Sequence, residues 1–379
     1  MDKTNQMPSG GQRTQRNTNL ELYRIIVMLL IVAHHYVVNS GLTGASGPVF
    51  AAPLSGRSLF LLLFGAWGKI GINCFVLISG YFMCKSRITV KKFVKLLGEV
   101  LFYNVVIQTI FWVTGYEPFT LVGALKLAVP VKSIGTGFTP AYLVFFLCIP
   151  FLNILVNHMS EKQHIKLLLL CSFLYIFLGT IRAVTMNYVS WFVVLYFFAS
   201  YVRLYPKKLF SNKKLWGYAS AITLLVSAAS VVACTWLGTK LGRNLSYSFV
   251  TDSNTLLAVL TGISTFMFMK NVEIKHNPWI NTISASTFGV LLIHANSDSM
   301  RQWLWQDVLN NVGVYSATWM PLHAIGSVLA IYIVCTALDY VRIKFVEAPC
   351  LKLWDKWEPK IIAKYREYEA VACEKYHIT

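Results

Sequence analysis

LELYRIIVMLLIVAHHYVV, residues Leu20–Val38, is an almost wholly apolar run interrupted by Arg24 and His35. Its length and composition predict a membrane-crossing helix. At about 100° and 1.5 Å per residue, the eleven steps from Arg24 to His35 return to within roughly 20° of the same face and rise roughly 16 Å. The two side chains therefore share one stripe, one near a membrane surface and one deep. An ionisable group in hydrocarbon costs on the order of 3 kcal/mol or more, so two on one stripe point to a lined cavity. Two structural readings stay open beside the functional one. Arg24 is close enough to the helix start to snorkel to the headgroups, and His35 can serve as a hydrogen-bonded packing residue.

The rest of the chain agrees with that first helix. Hydrophobic residues make up 56% of the 379 and charged residues 13%, with a mean hydropathy of +0.55. A soluble domain carries roughly 25% charged residues, so the fold class is an all-α integral membrane protein. Apolar stretches predict about ten transmembrane helices, near 20–38, 60–83, 93–115, 139–157, 165–184, 188–205, 214–236, 252–270, 283–300 and 318–340. Threading the chain through these spans puts 25 Lys and Arg on one side and seven on the other, while Arg24 and Lys69 lie inside spans. Basic residues stay in the cytoplasm, so this asymmetry predicts both termini there. The net charge of +18 belongs to membrane orientation and anionic lipid rather than nucleic acid.

Three regions follow: a disordered cytoplasmic tail (1–19), a ten-helix membrane domain (20–340) and a cytoplasmic C-terminal tail (341–379). The stretch after Pro359 reads as a short helix. No small-residue cleavage site follows the first apolar run, as a signal peptide would require. The eight cysteines form no CxxC pair and read as small apolar packers, and no P-loop, GxGxxG, HExxH or GxSxG is present.

Orientation assigns depth. Arg24 falls near the inner surface and His35 in the outer half. The ninth span also runs outward and carries His294 to about the same depth, with Arg301 beyond it. Lys69, Asn73 and Ser79 descend from that level in the second span. Two histidines from different helices can therefore meet, with Lys69 and Asn296 as neighbours. The bland alternative for His294 is a buried histidine bonded to another helix. His34 reads as a packing or headgroup residue, while His158, His164, His276 and His377 read as solvated. Two membrane histidines without carboxylates at ligand spacing make a poor metal site, and none is expected.

The ordered set of motifs resembles the bacterial membrane acyltransferase-3 family, which includes O-acetyltransferases of surface polysaccharides. It comprises Arg24-x10-His35, FVLISGYF (75–82), FTPAYLVFFLCIPFLN (138–153), FGVLLIHANSDSMRQWLW (288–305) and FVEAP (345–349). The resemblance covers Asn19 to about Trp357. It implies an O-acyltransferase that uses cytoplasmic acetyl-CoA as co-substrate, with no permanently bound cofactor, and a polysaccharide or lipid-linked glycan as acceptor. It also implies that Arg24 and His35 are the essential pair, in a multi-pass protein of the bacterial cytoplasmic membrane. His35 would act as general base on a sugar hydroxyl or as an acylated relay. Lys69, Asn73, Ser79, His294 and Arg301 are candidates for contacting the acceptor or its oxyanion. Arg24, Lys92, Lys95 and Glu347 are candidates for binding acyl-CoA, although Glu347 can equally pair with Arg342 or Lys344.

Two departures stand out. Where many relatives carry Arg-x-x-Arg after the second span, this chain has KKFVK (91–95), which loses bidentate geometry toward phosphate. Lys91, Lys92 and Lys95 can equally be topology charges that hold the loop inside. Where relatives often carry Trp before the fourth-span motif, this chain has Gly137. The alternative function is a proton-coupled solute transporter, since an arginine and a histidine on one face also suit a proton pathway. The acceptor sugar and the oligomeric state are not legible in the sequence.

Overall fold

A computed structural model describes residues 17–128, 137–181 and 187–376. The expected disordered tail before Asn17, Lys132, Arg182 and His377 lie outside the described residues. The molecule is an all-α integral membrane protein, without a strand among the described residues. Among the described residues, seven helices are long and apolar enough to cross a membrane. They are α1 (Thr18–Val38), the α2–α3 pair (Gly56–Met83), α4 (Val90–Val113), α5 (Phe138–His158), α6 (Glu161–Ile181), α8 (Lys213–Leu241) and α12 with the start of α13 (Met320–Lys364). Two shorter apolar helices, α7 (Tyr188–Leu204) and α9 (Leu256–Lys270), occupy the sixth and eighth expected spans. The ninth is broken into α10 (Pro278–Ala285) and α11 (Thr287–His294).

Local chemistry sets the helix ends. Thr89, Asn187 and Asn212 accept amide hydrogens from the first turns of α4, α7 and α8. Ser160 and Gln163 form a reciprocal capping box on α6. Asn277 caps α10, whose first residue is Pro278, a position where the missing amide hydrogen costs nothing.

The second expected span is two helices. α2 (Gly56–Gly65) and α3 (Gly68–Met83) meet at Ala66–Trp67. His34 of α1 fills the space beside the break and contacts the Gly65 carbonyl oxygen through Nδ1 at 2.6 Å. A Cβ on Gly68 would lie 2.3 Å from His34 Cγ, so glycine is what admits the ring.

α3 lies at the centre, packed on α1, α7 and α9. Glycines allow the approach: a Cβ on Gly71 would stand 2.9 Å from Ile31, and one on Gly80 would stand 3.1 Å from Ala199. Small hydroxyls join α8 to α9, through Ser227–Thr261 at 2.9 Å and Thr223–Ser264 at 2.8 Å. Since lipid offers no hydrophobic drive for helices to associate, such close packing and interhelical hydrogen bonds are what hold the bundle.

Three expectations need correction. His164, expected to be solvated, is fully buried. The Ser160 cap starts α6 so that His164 turns inward, against Tyr201 and Tyr205, with Nε2 3.0 Å from the Phe197 carbonyl oxygen. The segment 283–300 is not one helix, because α10 stops at Ala285 and α11 ends at His294. The C-terminal segment is one long helix, α13 (Ala348–Tyr376), which passes through Pro359 rather than starting after it.

Candidate active site

α1 and α3 run antiparallel, and that arrangement fixes two levels. At one level stand His34 and His35 of α1 and Lys69, in the first turn of α3. Gly68, the residue before Lys69, packs directly on the His34 ring. At the other level Arg24 faces the far end of α3, with its guanidinium carbon 6.0 Å from the Phe82 ring centre. The 24-to-35 spacing on α1 is thus matched by the 82-to-69 spacing on α3.

His35 Nδ1 lies 2.9 Å from His294 Nε2, with ring centres 5.1 Å apart. His294 is the last residue of α11, fully buried, and its Nδ1 lies 2.6 Å from the Val290 carbonyl oxygen one turn earlier. The indole of Trp305 meets the His294 ring edge-on at 6.3 Å and the Tyr36 ring at 5.9 Å. Trp305 is fully buried, and its Nε1–H has no partner among the described residues. Tyr36 in turn pairs its hydroxyl with His323 Nδ1 at 2.9 Å.

Two cations flank the pair. Lys69 Nζ donates to the Tyr188 hydroxyl at 2.8 Å. Arg301 donates to Asp298 at 2.7 Å and to the Ala295 carbonyl, next to His294, at 3.4 Å, and its Nε has no partner among the described residues. The remaining acceptor-side candidates have other engagements. Asn73 donates to the Ser253 and Ala258 carbonyls at 2.6 and 3.2 Å and accepts from Trp191 Nε1 at 2.9 Å. Ser79 donates to the Phe75 carbonyl at 3.0 Å and accepts from Tyr142 at 3.1 Å. Asn296 bonds Asn104 at 3.0 Å and the Leu292 carbonyl at 3.1 Å.

At the other end, Arg24 is three-quarters buried and pairs with Glu21 at 3.3 Å. Glu21 also accepts from Ser284, which ties α1 to α10. Arg24 Nε has no partner among the described residues.

The other acyl-donor candidates are distributed differently. Lys95 and Glu347 pair at 2.6 Å, whereas Lys92 donates to the Arg87 carbonyl at 2.7 Å. Glu347 belongs to a buried cluster in which its pairing with Arg342 was an open reading of the sequence, whereas the part played by Glu99 and Asp339 was missed. Arg342 contacts Glu347 at 2.8 Å, Asp339 at 2.7 Å and Glu99 at 3.1 Å, and Tyr103 donates to Asp339 at 2.8 Å. A cavity of about 450 Å³ opens beside it, lined by Phe102, Arg342, Glu347, Trp354 and Trp357. The sequence signal for the missed part was Glu99 inside one apolar run and Asp339 inside another.

Residues 17–340 match the family model Acyl_transf_3, described as an acyltransferase domain. No curated protein and no solved structure matches the chain.

Proposed function

Because the chain belongs to the acyltransferase-3 family, we propose that it moves a short acyl group, acetyl foremost, from cytoplasmic acyl-CoA to a hydroxyl of a cell-surface or lipid-linked polysaccharide. In this reading it is a multi-pass protein of the bacterial cytoplasmic membrane, with both termini inside. The observation that carries it is the buried histidine pair, His35 and His294 at 2.9 Å, with Arg301 bonded to the Ala295 carbonyl next to His294 and Lys69 following Gly68, which packs on the His34 ring. That grouping has the parts acyl transfer needs.

A sugar hydroxyl is a poor nucleophile at neutral pH, and a neutral imidazole can take its proton as attack begins. The neighbouring cations favour negative charge on the tetrahedral oxygen. As the C–S bond breaks, the proton passes from His35 to the departing thiolate. Arg24, at the opposite level, suits the CoA end, where a guanidinium can pair with phosphate. Lys95 and Glu347 line the cavity beside Arg342 and remain candidates for the same ligand.

The test is transfer of radiolabelled acetyl from acetyl-CoA to a polysaccharide fraction by protein in lipid nanodiscs. Wild type is expected to label the glycan, and His35→Ala to abolish labelling. Undiminished transfer by His35→Ala would overturn the catalytic role. Solute uptake without transfer would restore the transport reading, which the family assignment does not favour.

A further inference from the structure

We infer that His294 is a positioning residue that fixes the His35 proton on Nδ1 and leaves His35 Nε2 as the reacting atom. This rests on the acyl-transfer reading of His35. A backbone carbonyl can only accept, so the 2.6 Å contact with Val290 requires the hydrogen on His294 Nδ1. Neutral His294 then presents a lone pair at Nε2. His35 Nδ1, 2.9 Å away, must be the donor. The lone pair of His35 therefore sits on Nε2. The opposite tautomer of His294 would press a nitrogen lone pair against a carbonyl oxygen at 2.6 Å.

The arrangement is rigid. The carbonyl and the ring belong to one helix, four residues apart, and the ring is fully buried against Trp305. His294 thus does for His35 what a buried carboxylate does for the histidine of a serine-protease triad, which is to select a tautomer and an orientation. It does so without adding negative charge.

The proton inventory closes on either chemical route. In direct transfer the hydroxyl O–H breaks toward His35 Nε2, the oxygen–acyl bond forms, the C–S bond breaks, and the proton leaves Nε2 for the thiolate. His35 Nδ1–H stays on its bond to His294 throughout. In the relay route Nε2 attacks the thioester, the thiolate departs, and the Nδ1 proton crosses to His294 Nε2, leaving a neutral acyl-imidazole. Attack by the hydroxyl then frees His35, which recovers the Nδ1 proton from His294, and the hydroxyl proton ends on the thiolate.

The experiment uses full-length protein labelled with ¹⁵N-histidine in nanodiscs. His35 signals are assigned by loss in His35→Asn, and acetyl transfer from acetyl-CoA is measured in parallel. In wild type at neutral pH, His35 is expected to be protonated at Nδ1. His294→Leu should release it to mixed tautomers and lower turnover by about 10²–10⁴-fold, on the scale of losing a triad's orienting residue. KM for acetyl-CoA should stay within about threefold, since no ground-state contact to the donor is removed. His294→Gln, whose carboxamide oxygen can accept the same hydrogen, should recover at least about a tenth of turnover.

Wild-type His35 protonated at Nε2, or His294→Leu with unchanged turnover and unchanged signals, would overturn the inference. If His294→Leu does not fold, the wild-type signals and His294→Gln decide. A His35→Ala protein that still transfers acetyl would instead overturn the parent reading, whatever the tautomer.

Discussion

Lys69 donates to the Tyr188 hydroxyl at 2.8 Å, and no carboxylate pairs with it among the described residues. The ammonium beside His35 is thus held by a neutral group, and its charge remains available to a developing oxyanion. Lys69→Met is expected to cut acetyl turnover by roughly 10²–10³-fold, the range for one oxyanion donor. Tyr188→Phe, which frees the amine without removing it, should cost far less. Steady-state rates for the two variants check this, and equal losses would remove Lys69 from the chemistry.

Arg342 is the single guanidinium among Glu99, Asp339 and Glu347, and its side chain is 5% exposed. Removing one partner of a buried ion cluster leaves uncompensated charge, so Arg342→Met should destabilise by about 3–5 kcal/mol. Adding Asp339→Asn should return part of that loss, because one of the stranded carboxylates is then neutral. Unfolding of the single and double variants in detergent measures the coupling.

Gly68→Ala would drive a methyl into the His34 ring and strain its contact with Gly65. Overpacking of this kind costs about 1–3 kcal/mol. Activity should fall further than stability alone explains, because His34 and His35 are adjacent on α1. Purified Gly68→Ala with normal turnover would separate the break between α2 and α3 from the site.

Trp305 offers a buried N–H with no partner among the described residues, edge-on to His294. An unmet buried donor costs about 1–3 kcal/mol, which a bound substrate oxygen could offset. Trp305→Phe keeps most of the ring and removes the hydrogen. The expected outcome is a rise in KM for the acceptor with little change in thermal stability. A more stable protein with unchanged kinetics would mean that the hydrogen serves nothing.

The sequence made α1 readable because helical phasing is local: eleven residues put Arg24 and His35 on one face without reference to any other segment. His294 could be brought to the level of His35 because charge asymmetry oriented the spans and depth then followed by counting. What phasing and counting cannot supply is azimuth. Asn73 and Ser79 stand at suitable depths, yet their polar atoms are engaged in bonds among helices. Arg342 was legible as a basic residue after the last span and as a possible partner of Glu347, five positions on. Its burial comes from Glu99, more than two hundred positions away, and no local pattern announces such a pairing. The break at Ala66–Trp67 was hidden by composition, since both halves are apolar.

That break has a further consequence. Irregular backbone within a membrane is tolerated only where protein or a water-filled cavity surrounds it. Here two interruptions converge: α3 begins beside the histidines, and α11 ends on one of them. A helix start carries partial positive charge and a helix end partial negative charge. The backbone alone therefore sets a field across the pair, favouring negative charge on the Lys69 side and a proton on the His294 side. Replacing Lys69 or Arg301 would weaken that polarity without reversing it, so residual, correctly directed chemistry should persist in those variants, where His35 and both interruptions are intact.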